Sequence, residues 1–149
     1  MGMISKICLS FARSEADFLD LRQDVLMNLW RGWGKFRGQS KRSTWIYRVA
    51  LNTCMTSIKQ KPAPDPRNLP LDFALHLPVA VDEAEAENLN ELYRLISELK
   101  PEDKAVIMLW LDEFSYDEIA EMMGFSRNTV AQRIKRAIEK LVRISEKKI

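Results

Sequence analysis

Five of the six prolines in this 149-residue chain fall between positions 62 and 78, and they divide an otherwise helical sequence into two parts. Proline fixes φ and lacks an N–H donor, so a continuous helix cannot cross this stretch. On either side, apolar residues recur at intervals of three and four, and alternating β-branched runs are absent. The sequence therefore predicts an all-α protein made of two small helical domains joined by a Pro-rich linker.

The predicted first domain covers residues 1–61, the flexible Pro-rich and then acidic linker covers 62–87, and the second domain covers 88–149. Each domain is small for a single hydrophobic core, so each is expected to gain rigidity from a partner. The periodicity and the capping residues predict seven helices. They are expected at 4–12, 15–33, 43–60, 84–99, 101–111, 116–123 and 127–146.

The net charge of +2 conceals a block pattern along the chain. Residues 1–61 carry 11 Lys and Arg against 4 Asp and Glu, whereas residues 62–103 carry 3 against 10. Residues 126–149 carry 8 against 2, so two basic ends flank an acidic middle. Basic blocks favour polyanionic partners such as nucleic acid, although three solvated surfaces that happen to differ would give the same pattern.

Several classes of function are disfavoured by what the sequence contains. The two cysteines form no CxxC pair and the one histidine, His76, lies among the prolines, so no metal site, cofactor or His-based catalytic site is expected. We expect the protein not to be an enzyme. The longest apolar run, residues 105–111, is too short to span a bilayer and no signal peptide is visible, which predicts a cytoplasmic protein without membrane insertion.

Residues 116–136 have the layout of a helix-turn-helix, which places this motif in the C-terminal domain. Ala120 is small enough for two helices to cross closely, Gly124 suits a turn that needs positive φ, and Ser126 can cap the second helix. One face of that helix is apolar and the opposite face is polar and basic, as suits a helix in the DNA major groove. The candidate DNA-contacting residues are Arg127, Asn128, Thr129, Gln132, Arg133 and Arg136, with Lys135 beside them.

The predicted second helix carries two surfaces. Phe18, Leu21, Val25 and Leu29 form an apolar stripe that Leu26, Trp30 and Trp33 extend, and the whole set is interpreted as core. A separate arc could dock a partner helix, but a solvated helix face explains it equally well. This arc holds Asp20, Gln23, Asp24 and Met27.

Residues 36–48 interleave basic and aromatic side chains. Such interleaving suits single-stranded nucleic acid, because aromatic rings stack on bases while cations hold phosphates. Trp45 and Tyr47 lie about 200° apart around a helix, so one of them is expected at a surface. A core tryptophan among scattered surface cations remains the alternative. The candidate residues are Phe36, Arg37, Lys41, Arg42, Trp45 and Arg48.

Taken together, these motifs resemble the bacterial RNA polymerase sigma factors of the extracytoplasmic-function (ECF) group of the sigma-70 family. The residues that carry the resemblance are Asp20–Asp24 with Leu29-Trp30, Phe36–Gly38, Ser43–Arg48 with Asn52-Thr53, and 92–141. Relative to that family the first helix is expected to be truncated. In the loop before the predicted third helix, residue 42 is arginine, whereas the family often has an aromatic residue at this position.

The resemblance implies a promoter-specificity subunit. It assigns the Asp20, Gln23, Asp24 and Met27 arc to the β′ clamp helices of core RNA polymerase, the 36–48 element to the melted −10 strand, and the second domain to the −35 duplex and the β flap. It also implies an anti-sigma factor as a partner, because such partners are common in this family. The competing functions are a stand-alone helix-turn-helix regulator that binds duplex DNA as a dimer, and an adaptor that binds helices of other proteins.

Overall fold

A computed structural model describes residues 2–38, 40–62, 65, 67, 69–76 and 82–147. Within these ranges the chain forms α-helices and one short 3₁₀ helix, Phe73–His76, and no β-strand, which confirms the predicted all-α class. The α-helices are α1 (Met3–Phe11), α2 (Glu15–Trp33), α3 (Arg42–Gln60), α4 (Glu83–Ser97), α5 (Pro101–Leu111), α6 (Tyr116–Met123) and α7 (Arg127–Lys147).

Contacts divide the chain into two compact units, Met1–Asn90 and Glu91–Ile149. In the first unit, α1, α2 and α3 pack against one another around a shared apolar core. Ser14 starts α2 because its hydroxyl accepts the Asp17 amide at 3.1 Å, which satisfies one of the amides that a helix N-terminus leaves unpaired. The fully buried residues of this core include Ile7, Leu9, Phe11, Phe18, Leu21, Val25 and Ala50.

The apolar surface of α2 is only partly buried, which corrects the interpretation of the whole stripe as core. Phe18, Leu21 and Val25 are buried as predicted. Leu26, Trp30 and Trp33 are instead exposed. The physical reason is that α1 and α3 together cover one side of α2: Leu26 and Trp30 lie outside that side, and Trp33 lies at its edge, beside Trp45 of α3.

The Pro-rich stretch contains more structure than an extended linker. Phe73 is buried, at 9% exposure, in the 3₁₀ helix. The Leu69 carbonyl accepts a hydrogen bond from the Glu15 amide at 3.1 Å, so this part of the linker contacts the start of α2. A buried aromatic ring and a satisfied helix end favour docking over the extended chain that proline content alone predicts.

The second unit builds its core where α5, α6 and α7 meet. Ser115 and Glu118 form a reciprocal capping box at the start of α6, and Gly124 ends that helix in the left-handed region at φ 72°. The Ser126 hydroxyl then accepts the Thr129 amide at 3.1 Å, which caps α7. The predicted helix-turn-helix therefore forms with the turn and capping residues identified from sequence. Its core residues include Ile107, Leu109, Ile119, Val130 and Ile134.

Candidate functional site

The second helix of the helix-turn-helix, α7, separates its apolar and polar residues onto opposite faces. Val130, Ile134 and Ala137 are buried against the rest of the second unit. The polar face is open to solvent over three helical turns, which leaves its amides and cations available to base edges and phosphates. The exposed residues on this face are Asn128, Gln132, Lys135 and Arg136.

Arg127 and Thr129 occupy the first turn of α7 in different ways. Arg127 is exposed, and its Nε lies 3.8 Å from the Asp117 carboxylate, a loose ion pair that solvent screens. Thr129 is half-buried, and its hydroxyl accepts a hydrogen bond from the Ser126 hydroxyl at 2.9 Å. Of these two predicted DNA-contacting residues, Arg127 is the more accessible.

Arg133 departs from the rest of the predicted set because its side chain turns back toward the protein. Its Nη1 donates to Asp103 of α5 at 3.0 Å, and its guanidinium lies 4.7 Å from the centre of the Phe125 ring. Only 28% of the side chain is exposed. Arg133 follows Val130 by one helical turn and thus borders the buried face. In this position it connects α7 to α5 and to the turn before α7.

We expect Asp103→Asn to lower the free energy of unfolding of the second unit by about 1–2 kcal/mol, because the change weakens a half-buried charge-assisted hydrogen bond. Arg127→Met is the matched control, since the pair between Arg127 and Asp117 is longer and exposed. Urea denaturation of the full chain, followed through the amide resonances of α7, measures both variants. Equal stability of the two variants would contradict a supporting role for Arg133.

Three aromatic rings cluster where α2 meets α3, at the second predicted nucleic-acid surface. The Trp45 ring centre lies 5.1 Å from that of Phe36 and 5.9 Å from that of Trp33. The Arg42 guanidinium lies 5.8 Å from the Trp33 ring centre. Gly32 permits this packing, because a Cβ there would approach the Trp45 ring to 3.2 Å. Trp33 therefore belongs to this surface cluster, whereas sequence analysis had predicted that it lies in the core.

The basic residues of this element neighbour the aromatic cluster in sequence, and most of them are exposed. Arg37, Lys41 and Arg42 are exposed and Arg48 is half-buried. Tyr47 is buried at 2% exposure whereas Trp45 is half-buried, which confirms that only one of the two aromatic residues lies in the core. Rings and cations therefore share one corner of the first unit.

The predicted docking arc on α2 is accessible. Asp20 and Gln23 are exposed, and Met27 is 43% exposed. Asp24 is less free than the others, because its carboxylate accepts a hydrogen bond from the Lys61 ammonium at 3.2 Å. The structure thus brings an acidic and amide surface onto one side of α2.

Sequence analysis missed the apolar part of this helix surface. Trp30 is 84% exposed, and Leu26 and Leu19 are each more than half exposed. Leu26, Leu29, Trp30 and Trp33 line a shallow depression. The sequence signal that could have revealed this surface is the width of the apolar arc on α2, which is greater than two neighbouring helices can cover. An exposed apolar patch rimmed by polar residues marks an interaction site more often than a free surface.

A polar groove of about 470 Å³ separates the exposed sides of α2 and α3. The Asn28 amide donates to the Thr53 hydroxyl across it at 2.9 Å. Asn52 also lines the groove, so the residues 52 and 53 that contributed to the family resemblance lie beside the docking arc. The groove offers hydrogen-bonding groups, and its charged lining residues include the paired Asp24 and Lys61.

Among the residues that the structure describes, no group of three or more His, Cys, Asp or Glu side chains is arranged to hold a metal ion. No α-helix in the same ranges has the length and apolarity required to cross a membrane.

Comparison with known proteins gives matches to both halves of the chain. Residues 1–62 match the family described as Sigma-70 region 2, and residues 89–141 match Sigma-70, region 4. The chain is 29% identical to the ECF RNA polymerase sigma factor SigM of Mycobacterium tuberculosis over 134 residues, which is 89% of this chain and 66% of SigM. The chain thus spans just under two thirds of the length of SigM.

Two solved structures share the fold. The sigma factor RpoE of Bartonella quintana, in complex with the anti-sigma factor NepR, aligns with 96% of this chain and 89% of its own at a TM-score of 0.68 and 18% identity. CnrH, in complex with the cytosolic domain of CnrY, aligns with 96% of this chain and 80% of its own at a TM-score of 0.64 and 21% identity.

The ECF RNA polymerase sigma-E factor of Haemophilus influenzae is more similar in sequence. It is 36% identical over 141 aligned residues, which cover 85% of this chain and 73% of that protein. The sigma-E factor of Escherichia coli K12 is 31% identical over 135 residues, covering 83% and 71% of the two chains. With regions 2 and 4 matched in order, the chain belongs to the extracytoplasmic-function group of the sigma-70 family of RNA polymerase sigma factors.

Proposed function

We propose that this chain binds core RNA polymerase and directs it to promoters, with the second unit reading duplex DNA at the −35 element and the first unit holding the melted −10 strand. The observation that carries this proposal is the exposed apolar face of α2, with Trp30 84% exposed. A stand-alone DNA-binding regulator would have no partner for that face, whereas a subunit that docks on a large enzyme requires one.

The −35 contacts are assigned to α7. Asn128, Gln132 and Arg136 lie on its exposed face and would read base edges, while Lys135 and Arg127 would contact phosphates. Arg133 is proposed to support the helix through Asp103, and Thr129 to support its capped end. The acceptors and donors needed for base discrimination are thus concentrated in three turns of one helix.

The −10 contacts are assigned to the aromatic corner of the first unit. Phe36 and Trp45 already contact each other, so an unpaired base could extend their stack. Arg42, Arg37 and Lys41 would neutralise the phosphates of the separated strand. Neither base stacking nor phosphate neutralisation requires catalysis by this chain, since RNA polymerase itself catalyses RNA synthesis.

The polymerase contact is assigned to α2 and combines the predicted polar arc with the apolar face. Asp20 and Gln23 would fix orientation, and Met27, Leu26 and Trp30 would provide the buried area. The β′ clamp helices are the proposed partner of this surface, and the β flap that of the second unit. An anti-sigma factor, such as the one bound to the sigma factor RpoE of Bartonella quintana, would compete for the same exposed side chains.

Run-off transcription tests the function as a whole. Core polymerase is incubated with a library of genomic fragments in the presence and absence of the chain, and transcript starts are mapped. We expect new start sites that share a −35 and a −10 sequence at constant spacing. Duplex binding without polymerase, at palindromic sites and without new transcripts, would support the stand-alone regulator instead.

A further inference from the structure

The docked part of the linker contributes to the N-terminal cap of α2. The first amides of a helix have no partner within it, so each requires an acceptor from elsewhere. Ser14 supplies one acceptor, to the Asp17 amide. The Leu69 carbonyl supplies another, to the Glu15 amide at 3.1 Å, from a position 54 residues further along the chain. A distant segment thus satisfies a backbone group that local sequence leaves open.

The Glu15 side chain holds the same segment at two further points. Its Oε1 accepts the Asp72 amide at 3.0 Å, and its Oε2 lies 2.9 Å from His76 Nε2. Burial alone would raise the pKa of the Glu15 carboxyl, but the hydrogen bonds from Asp72 and His76 and the charge of His76 together hold it below its ordinary value. The carboxylate form is therefore the one that the linker stabilises.

Ring contacts close the site. The His76 ring centre lies 4.3 Å from that of Phe18, and the Arg22 guanidinium lies 5.5 Å from the centre of the same Phe18 ring. Phe73 is buried in the same 3₁₀ helix. The only histidine of the chain thus lies between a carboxylate and a core aromatic ring, with one fifth of its side chain exposed.

We propose that Leu69–His76 is a built-in peptide ligand of the N-terminal end of α2, and that this docking moves the last fixed point before α4 from the end of α3, at Lys61, to His76. The proposal concerns the free chain, so it is independent of the promoter and polymerase contacts assigned above.

Docking changes how far the linker can reach. From His76 to the start of α4 at Glu83 the backbone can extend at most about 25 Å, at roughly 3.6 Å per residue. From Lys61 to Glu83 the same limit is about 80 Å. A docked linker therefore confines the start of α4 to a much smaller volume around the end of the docked segment.

Site-specific amide exchange tests the contact directly. The Glu15 amide donates to the Leu69 carbonyl and the Asp72 amide donates to the Glu15 carboxylate, so both amides are expected to be protected from hydrogen exchange. We expect His76→Ala to accelerate their exchange about tenfold, and Glu15→Ala to do the same at Asp72. The double variant should exchange no faster than Glu15→Ala alone, because Glu15→Ala already removes the carboxylate that His76 contacts.

Distance measurement tests the consequence. Spin labels on Lys59→Cys and Glu85→Cys, both exposed positions, report the span from the end of α3 to α4 by electron–electron double resonance. The native Cys8 and Cys54 are fully buried, which directs labelling to the introduced thiols. We expect His76→Ala to widen the distance distribution roughly twofold, since the width of a flexible segment grows as the square root of its length.

Arg67→Ala is the matched control within the linker. Arg67 pairs only with its neighbour Asp65 in the bonds that the structure gives it, and 90% of its side chain is exposed. This variant should retain both the protected amides and the narrow distribution. Unchanged exchange and distances in His76→Ala and Glu15→Ala would overturn the proposal, as would equal broadening in Arg67→Ala. Because His76 lies outside the helical core, its variant remains informative even if Glu15→Ala disturbs α2.

Discussion

Trp30→Asp is expected to reduce the affinity of the chain for core RNA polymerase by about a hundredfold or more, which is the loss of a central aromatic contact of about 3 kcal/mol. Trp30 is the most exposed of the large apolar side chains that the structure describes. Because it contributes little to the core, the substitution should leave the unfolding free energy of the first unit within about 0.5 kcal/mol of the wild-type value. Affinity is measured with purified core enzyme at fixed salt.

The control for this substitution is Leu69→Asp. Leu69 is also an apolar residue with high exposure, 74%, but it lies in the linker and contacts α2 through its backbone carbonyl. It should bind polymerase as the wild type does. If Trp30→Asp bound polymerase with unchanged affinity, the exposed face of α2 would need a different partner, and the polymerase contact would have to lie elsewhere in the chain.

The helices were predictable because their signals are local. Ser14, Ser115, Gly124 and Ser126 each lie within four residues of the amides or carbonyls that they satisfy. Apolar spacing at three and four residues then gave the elements between these ends. The helix-turn-helix was predictable for the same reason, since the residues that form its turn and its helix caps lie within about ten positions of one another.

The exposed and buried surfaces of α2 were less predictable, because the burial of a side chain depends on which other helices pack against it. Leu21 and Leu26 are the same residue type on one amphipathic helix, yet Leu21 is 1% exposed and Leu26 is 51% exposed. Periodicity shows that α2 is apolar over a wide arc but does not show which part of that arc α1 and α3 cover. The interpretation of Trp30 as core failed at this point.

The remaining differences arise from contacts between residues far apart in sequence. Arg133 is one turn from a buried valine, which indicates a border position, but its partner Asp103 lies 30 residues away. His76 contacts Glu15, which precedes it by 61 residues in the sequence. Such pairs require the tertiary structure, because composition and spacing describe only the neighbourhood of each residue along the chain.

Replacing both Gln132 and Arg136 with alanine is expected to remove sequence preference at the −35 positions that these two side chains contact, and to lower affinity for the preferred duplex about a hundredfold. Both side chains lie on the exposed face of α7. Each bidentate contact to a base contributes about 1–3 kcal/mol of discrimination, so two together account for this loss. Folding should be preserved, since neither residue belongs to the buried face. The measurement is selection from promoters randomised at the −35 element, with the chain bound to core polymerase.

Lys135→Ala separates base reading from charge on the same exposed face. A phosphate contact carries no sequence information, so this variant should select the wild-type sequence, bind it more weakly, and reduce the salt dependence of binding by about one unit of slope. Gln132→Ala alone should instead change the preferred base at a particular position. If Lys135→Ala altered the selected sequence, or if the Gln132 and Arg136 double variant retained it, α7 would not read bases in the way assigned here.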